Sequence, residues 1–151
     1  MKIILLAIGK IRGAEADWCD EYAKRLRGSL TIKEMTASKS LPAGANQKAE
    51  AELILKALTP KSFVVLLDEH GKDMTSYDLT SHIAQWQKQG VEELVFVIGG
   101  ADGVTSDVKK RANFTWALGR LTWPHRLVRV MLMEQLYRAQ QIKNGHPYHR
   151  E

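Results

Sequence analysis

The chain ends in His146-Pro147-Tyr148-His149-Arg150-Glu151. A phenol, two imidazoles and a guanidinium in so few residues suit stacking on a nucleobase or gripping a phosphate. The segment also reads as an ordinary polar terminus. Upstream, three short stretches each follow a β-favouring run: Asp68 to Gly71, Gly99-Gly100-Ala101-Asp102-Gly103, and Gly119-Arg120-Leu121-Thr122-Trp123-Pro124. If the runs are parallel strands, their ends face one side and the three loops converge on a ligand. Gly99 and Gly100 let a ligand approach the backbone closely, although a plain turn accounts for the same residues. The third loop feeds a long apolar helix, and Pro124 near the first helical turn costs nothing because that N–H has no intrahelical partner. It reads either as a binding loop or as a simple connection.

Several other chemistries are disfavoured. No G-x-G-x-x-G follows the first apolar run, so a dinucleotide fingerprint is missing. Gly71-Lys72 lacks the upstream glycine and the following Ser or Thr of a phosphate-binding loop. His125, His146 and His149 are too scattered for a zinc site, and no metal is expected. No nucleophile-elbow motif supports Ser/His/Asp hydrolysis. Cys19, the single cysteine, lies between Trp18 and Asp20 on a helical stretch and reads as packing rather than as a nucleophile. A lone cysteine forms no disulfide framework and fits a reducing cytoplasm.

These residues need elements to hold them. Ile3 to Ile8 is a continuous apolar run closed by Gly9, as expected of a strand buried on both faces. Ala14 to Leu26 carries Trp18, Tyr22 and Leu26 at spacings of four, an amphipathic helix that Gly28 can end. Leu30 to Met35 alternates and suggests a strand near an edge. Ser38 to Ala45 is the long loop. Asn46 is a candidate cap for a helix to Leu58, with Ala49, Leu53 and Ala57 on one face. Phe63 to Leu67 and Leu94 to Ile98 are further buried strands. Between them Thr75 and Asp78 form a capping box for a helix that turns Leu79, Ile83 and Trp86 inward and stops at Gly90. Ser106 caps a short helix through Ala112. Phe114 to Leu118 is a fifth strand, and Leu127 to Lys143 a last helix. The alternation implies one α/β domain over residues 1–151, with a mostly parallel sheet flanked by helices.

With 151 residues, 44% of them hydrophobic and 26% charged, the chain matches an ordinary globular domain. A net charge of +5 favours a polyanionic partner without naming one. The apolar run after Lys2 is too short for a secretory leader, and no run approaches a membrane span. The last helix is apolar on nearly every face: Val128, Val130, Met131, Leu132, Met133, Leu136, Tyr137, Ala139 and Ile142. Such a helix wants both its own sheet and another subunit, so a homodimer is expected. About 17 helical residues span roughly 25 Å. A six-residue tail reaches at most about 20 Å, which falls short of its own Gly119–Pro124 loop and leaves a neighbour's loop as the target.

Taken in order, Phe96 to Gly103, Leu121-Thr122-Trp123-Pro124-His125, Val128-Arg129-Val130, Glu134 to Ala139 and the terminal His146-Pro147-Tyr148-His149-Arg150 resemble the RlmH (YbeA-like) family. The opening Met1-Lys2-Ile3 to Gly9-Lys10 and the length fit as well. The resemblance spans essentially the whole chain, and the ordered set, closing in HPYHR, is highly specific. That family belongs to the SPOUT superfamily. The resemblance implies an α/β fold with a C-terminal trefoil knot, a feature general chain topology argues against, and a homodimer. It implies S-adenosyl-L-methionine-dependent methylation of N3 of a pseudouridine in 23S ribosomal RNA, within the ribosome or its large subunit.

By position, the resemblance places the methyl donor against Leu67, Gly99 and Gly100, and against Gly119, Arg120, Leu121, Thr122, Trp123 and Pro124. Arg120 departs from the small or polar residues common there, so its part rests on the backbone. Arg150 and Tyr148, with His149 third, are the expected catalytic residues: Arg150 to stabilise the developing anion or hold phosphate, Tyr148 to position the nucleotide, His149 as the imidazole suited to proton transfer. Two alternatives carry less: a SPOUT methyltransferase with another RNA target, and a non-catalytic ribosome-binding protein that would ignore the donor.

Overall fold

The computed structural model describes residues 1–26, 30–37, 41–42 and 44–150. Five parallel strands form one sheet in the order β2-β1-β4-β3-β5. They are β1 (Lys2–Ile8), β2 (Leu30–Met35), β3 (Ser62–Lys72), β4 (Glu93–Ile98) and β5 (Phe114–Trp116). The helices are α1 (Gly13–Arg25), α2 (Ala45–Ala57), α3 (Ser76–Lys88), α4 (Ser106–Arg111) and α5 (His125–Lys143).

Side chains alternate across a strand, so each central strand feeds two cores. Leu5, Ala7, Val65, Leu94, Phe96 and Ile98 face α1, α3 and α5. Leu6, Ile8, Val64, Leu66, Val95 and Val97 face α2 and α4. This two-sided burial is why β1 and β4 read as unbroken apolar runs. β2 lies at the edge as expected, pairing only with β1, but its alternation does not carry through to burial: Ile32, which the pattern groups with Leu30, is exposed.

Local signals held where a side chain bonds its own backbone. Thr75 and Asp78 form the expected capping box at α3. Hydrogen bonds from the Thr75 amide and hydroxyl hold the exposed Asp78 carboxyl below the usual carboxylate range. Other boundaries differ. Gly44 with a positive φ, not Asn46, precedes α2; the Asn46 amide instead donates to Glu50 at 3.3 Å. The helix is also rotated from expectation, burying Glu50, Ala51 and Ile54 while Ala49, Leu53 and Ala57 are only half-buried. Thr105 rather than Ser106 precedes α4. On α1 the inward residue is Cys19, and Trp18 is 58% exposed. Burial pushes the Cys19 thiol up to about 11, as a packing role requires. The Gly28 stop and the Ser38–Ser40 and Ala43 parts of the long loop lie outside the described residues.

The largest revision concerns β3. It continues past Leu67 to Lys72, but Asp68 to Gly71 bulge away from β5. Leu67 and Lys72 both pair with Trp116 on either side of the bulge. Gly71 closes it: a Cβ there would stand 2.7 Å from the Thr115 carbonyl carbon and the Trp116 nitrogen. Gly71→Ala is therefore expected to destabilise the fold by about 1–3 kcal/mol, because backbone must move to admit a methyl. Chemical denaturation checks this; an unchanged midpoint would mean β5 yields freely.

α5 packs between α1 and α3, burying Leu132, Met133, Leu136 and Ala139. Burial within one chain thus accounts for more of its apolar surface than the sequence reading allowed. Val130 and Met131 stay half-buried beside the exposed Trp18, and Leu127 is exposed.

Candidate active site

A cavity of about 360 Å³ opens at the β3 bulge, beside the ends of β4 and β5. That is within the size range of small-molecule sites, and the carboxyl edge of a parallel sheet is where α/β proteins place them. The three converging loops are those of the sequence. Leu67 to His70 form one wall, Gly99 to Val104 the second, and Leu118 with Leu121 to Trp123 the third.

Each loop is held by its own bonds. Gly103, with φ of +78°, turns back so that its N–H donates to the Gly100 carbonyl at 3.1 Å. Gln47 on α2 donates to the Asp102 carbonyl at 3.1 Å. The Trp123 indole N–H donates to the Leu118 carbonyl at 2.8 Å, closing the third loop on itself around Gly119. The Thr122 hydroxyl donates to the Glu69 carboxylate and ties the third loop to the β3 bulge. Gly99 and Gly100 are glycines for a reason beyond ligand approach. A Cβ on Gly99 would stand 2.6 Å from Val104 Cγ1, and one on Gly100 2.7 Å from the Glu50 carboxylate.

Of the residues expected at the donor site, Leu67, Gly99, Gly100, Leu121, Thr122 and Trp123 line this cavity. Gly119 lines an adjoining one with Leu118, Trp18, Met131 and Glu134. Arg120 and Pro124 line neither, and Pro124 instead precedes the first turn of α5. Sequence reasoning missed Val104, just past the glycine loop, and Gln47, Lys109 and Val128, which the tertiary fold brings in from α2, α4 and α5. His125 also lines the cavity; burial, then Arg126 and Arg129, hold its imidazole below the ordinary histidine value, so it is neutral near pH 7. The acidic wall residues Asp68, Glu69 and Asp102 outnumber Lys109, which favours a cationic ligand.

The tail turns back along its own α5. The Tyr148 hydroxyl donates to Glu134 at 3.0 Å, and its ring meets Tyr137 edge-on at 4.8 Å. Burial, reinforced by that hydrogen bond, pushes the Tyr148 phenol far above its ordinary value, so it is no base. Arg138 pairs with Glu134 at 2.6 Å and reaches His149 Nδ1 at 3.1 Å. A guanidinium only donates, so Nδ1 accepts and Nε2 carries the ring proton. His149 also packs edge-on against Tyr77, while Arg150 is exposed. None of residues 146–150 lines the cavity of its own chain.

A parallel α/β domain whose late loops form a pocket at the strand ends defines a small-molecule-binding class, within which the family is decided by sequence. A family model described as "Predicted SPOUT methyltransferase" matches residues 1–149, and the chain belongs to that family. Enzymes named ribosomal RNA large subunit methyltransferase H from Rhodospirillum centenum and Rhodospirillum rubrum are 44% and 45% identical, each alignment covering 99% of both chains. A probable methylase family protein of known structure from Haemophilus influenzae shares the fold at a TM-score of 0.57 and 11% identity. That match covers 99% of this chain and 70% of the other. Among the described residues no cluster of His, Cys, Asp or Glu can hold a metal, and no helix is long and apolar enough to cross a membrane.

Proposed function

We propose that this chain methylates N3 of a pseudouridine in large-subunit ribosomal RNA, with S-adenosyl-L-methionine as donor, as a cytoplasmic homodimer. The observation that carries the reading is the three-loop cavity holding Leu67, Gly100 and Leu121 to Trp123 in a member of a methyltransferase family. The site fits the donor in size, and its acidic walls suit a molecule bearing a sulfonium and an ammonium. When bound, that molecule supplies a methyl group on a positively charged sulfur, already a good leaving group.

The protein's task is alignment, worth up to several kcal/mol. Leu67, Leu121 and Trp123 offer apolar contact, and the Gly99–Gly103 and Leu121–Thr122 backbones offer hydrogen bonds. N3 must give up its proton around the time of attack. The exposed Arg150 stabilises the anion that forms or grips a neighbouring phosphate. Tyr148 and Arg138 anchor the tail on Glu134 so that His149 and Arg150 are presented together. For His149 to take the proton, its contact with Arg138 must open.

The tail does not reach its own cavity, so a second copy must bring one. The half-buried Val130 and Met131 with the exposed Trp18 form the apolar face for that copy. The knotted path of the SPOUT superfamily belongs to the same reading: after β5 at one edge, α5 returns to pack on α1. A net charge of +5 is modest for seizing naked RNA, which favours an assembled ribosomal particle as substrate.

Three measurements test the reading. Titration of S-adenosylmethionine should show saturable binding, whereas a pure RNA-binding protein ignores it. Methyl transfer should proceed on purified large subunits or ribosomes and be much slower on free RNA. Mass spectrometry of ribosomal RNA from a deletion strain should show a pseudouridine lacking one methyl; loss of a different modification would reassign the target.

A further inference from the structure

Glu50 stands out among groups with no assigned part. It lies on α2, is only 8% exposed, and its Oε2 has no hydrogen-bond partner among the described residues. Its Oε1 accepts one long bond from Asn46. Burial, with the charge of Asp102 behind it, pushes this carboxyl above the usual range. A buried acid with an idle oxygen is costly to keep unless it supports something. What it touches is the Gly99–Gly103 loop. The two carboxylate oxygens occupy the space where a Cβ on Gly100 would be, at 2.7 and 2.8 Å. One turn earlier on the same helix, Gln47 bonds the Asp102 carbonyl. The α2 helix thus backs the loop at two points, while Glu50 itself does not line the cavity.

We propose that Glu50 is a positioning residue for the methyl donor: its carboxyl, wedged behind Gly100, sets the shape of the second cavity wall and hence donor affinity. The inference rests on the donor reading above. The side chain acts by shape and hydrogen bonding rather than by charge, because nothing cationic among the described residues faces it. Asn46 and Gln47 on α2 are neutral, and the one charged neighbour from the loop is Asp102. Gly100 and Glu50 therefore form a matched pair, in which a larger residue at 100 needs a smaller one at 50.

The test is a double-mutant cycle on the full chain, read by calorimetric S-adenosylmethionine binding and by steady-state methyl transfer. Glu50→Ala should weaken donor binding about tenfold or more and raise the donor KM, with kcat at saturating donor changed much less. Glu50→Gln, of equal shape, should recover most of that affinity. Gly100→Ala alone should lose donor binding, and adding Glu50→Ala should restore part of it, because the added methyl gains room. Circular dichroism and thermal melts confirm that each variant is folded. Unchanged donor affinity in Glu50→Ala, equal losses in the Ala and Gln variants, or additive losses in the double variant would each overturn the inference. If wild-type protein itself fails to bind the donor, the functional reading falls instead, and the inference falls with it.

Discussion

Arg150→Ala should leave donor binding nearly intact and slow methyl transfer by about 10²–10³-fold, the usual loss when one preorganised donor to a developing anion is removed. Arg150 is exposed and lies beyond the tail's anchoring contacts, which run through Tyr148, His149, Glu134 and Arg138. The variant therefore removes a charge without releasing the tail. If the tail of one subunit serves the other's cavity, a second outcome follows. Gly100→Val disrupts the proposed donor site by displacing the glycine loop, since even a Cβ there meets Glu50 behind it. Either variant alone is nearly inactive. Co-expressed in equal amounts, half the dimers are mixed and each holds one complete site, so activity should return to about a quarter of wild type. Purified mixed dimers with no recovery would confine the site to one subunit. Unchanged turnover in Arg150→Ala would remove it from the chemistry.

Arg129→Met should cost on the order of 3 kcal/mol, a large part of the roughly 5–15 kcal/mol that holds a domain folded. Arg129 is 3% exposed on the first turns of α5. One nitrogen pairs with the Glu34 carboxylate at the end of β2, and another donates to the Gly9 carbonyl after β1 at 3.0 Å. Glu34 also accepts the Ile11 N–H at 2.9 Å. The guanidinium thereby ties the start of α5 to the far end of the sheet. The lower end of the range for a broken buried pair applies because Glu34 is about a third exposed and can recover water. Burial works against the Glu34 charge, but the bonds from Ile11 and Arg129 overcome it and hold its carboxyl below the ordinary range. Folding thus lowers this pKa. The associated stability is complete above the unfolded carboxylate value of about 4.3 and is lost as pH falls through the lower folded value. Urea midpoints of wild type and variant should therefore lie far apart at neutral pH and converge in acid. A gap that persists at acid pH would show that packing, not the ion pair, makes Arg129 matter.

Much of the molecule was legible before folding, and the legible parts share a cause. β1, β2 and β4 were found within a residue of their ends, because burial on one or two faces writes a pattern of period two or an unbroken apolar run. The Thr75–Asp78 box was legible because both partners lie within one turn. Errors fell where a distant residue decides. Trp18 and Cys19 are neighbours on α1, and which one turns inward depends on where α5 lies. Asn46 has a capping side chain, yet Glu50 takes it. β3 looked finished at Leu67, and only β5, by pairing with Lys72, carries it past the bulge.

For the site the division is similar. The glycine-marked loops and the terminal motif identify the family by their order alone and mark most of the residues proposed for the donor site, since turn chemistry and recognition residues are properties of short segments. The tertiary structure decided what no short segment holds: Gln47 and Glu50 behind the glycine loop, the Glu69–Thr122 tie across two walls, and the docking of Tyr148 on Glu134. These partners are separated by tens of residues, except along α5. Their meeting is fixed by strand order and helix packing, which depend on the whole chain at once.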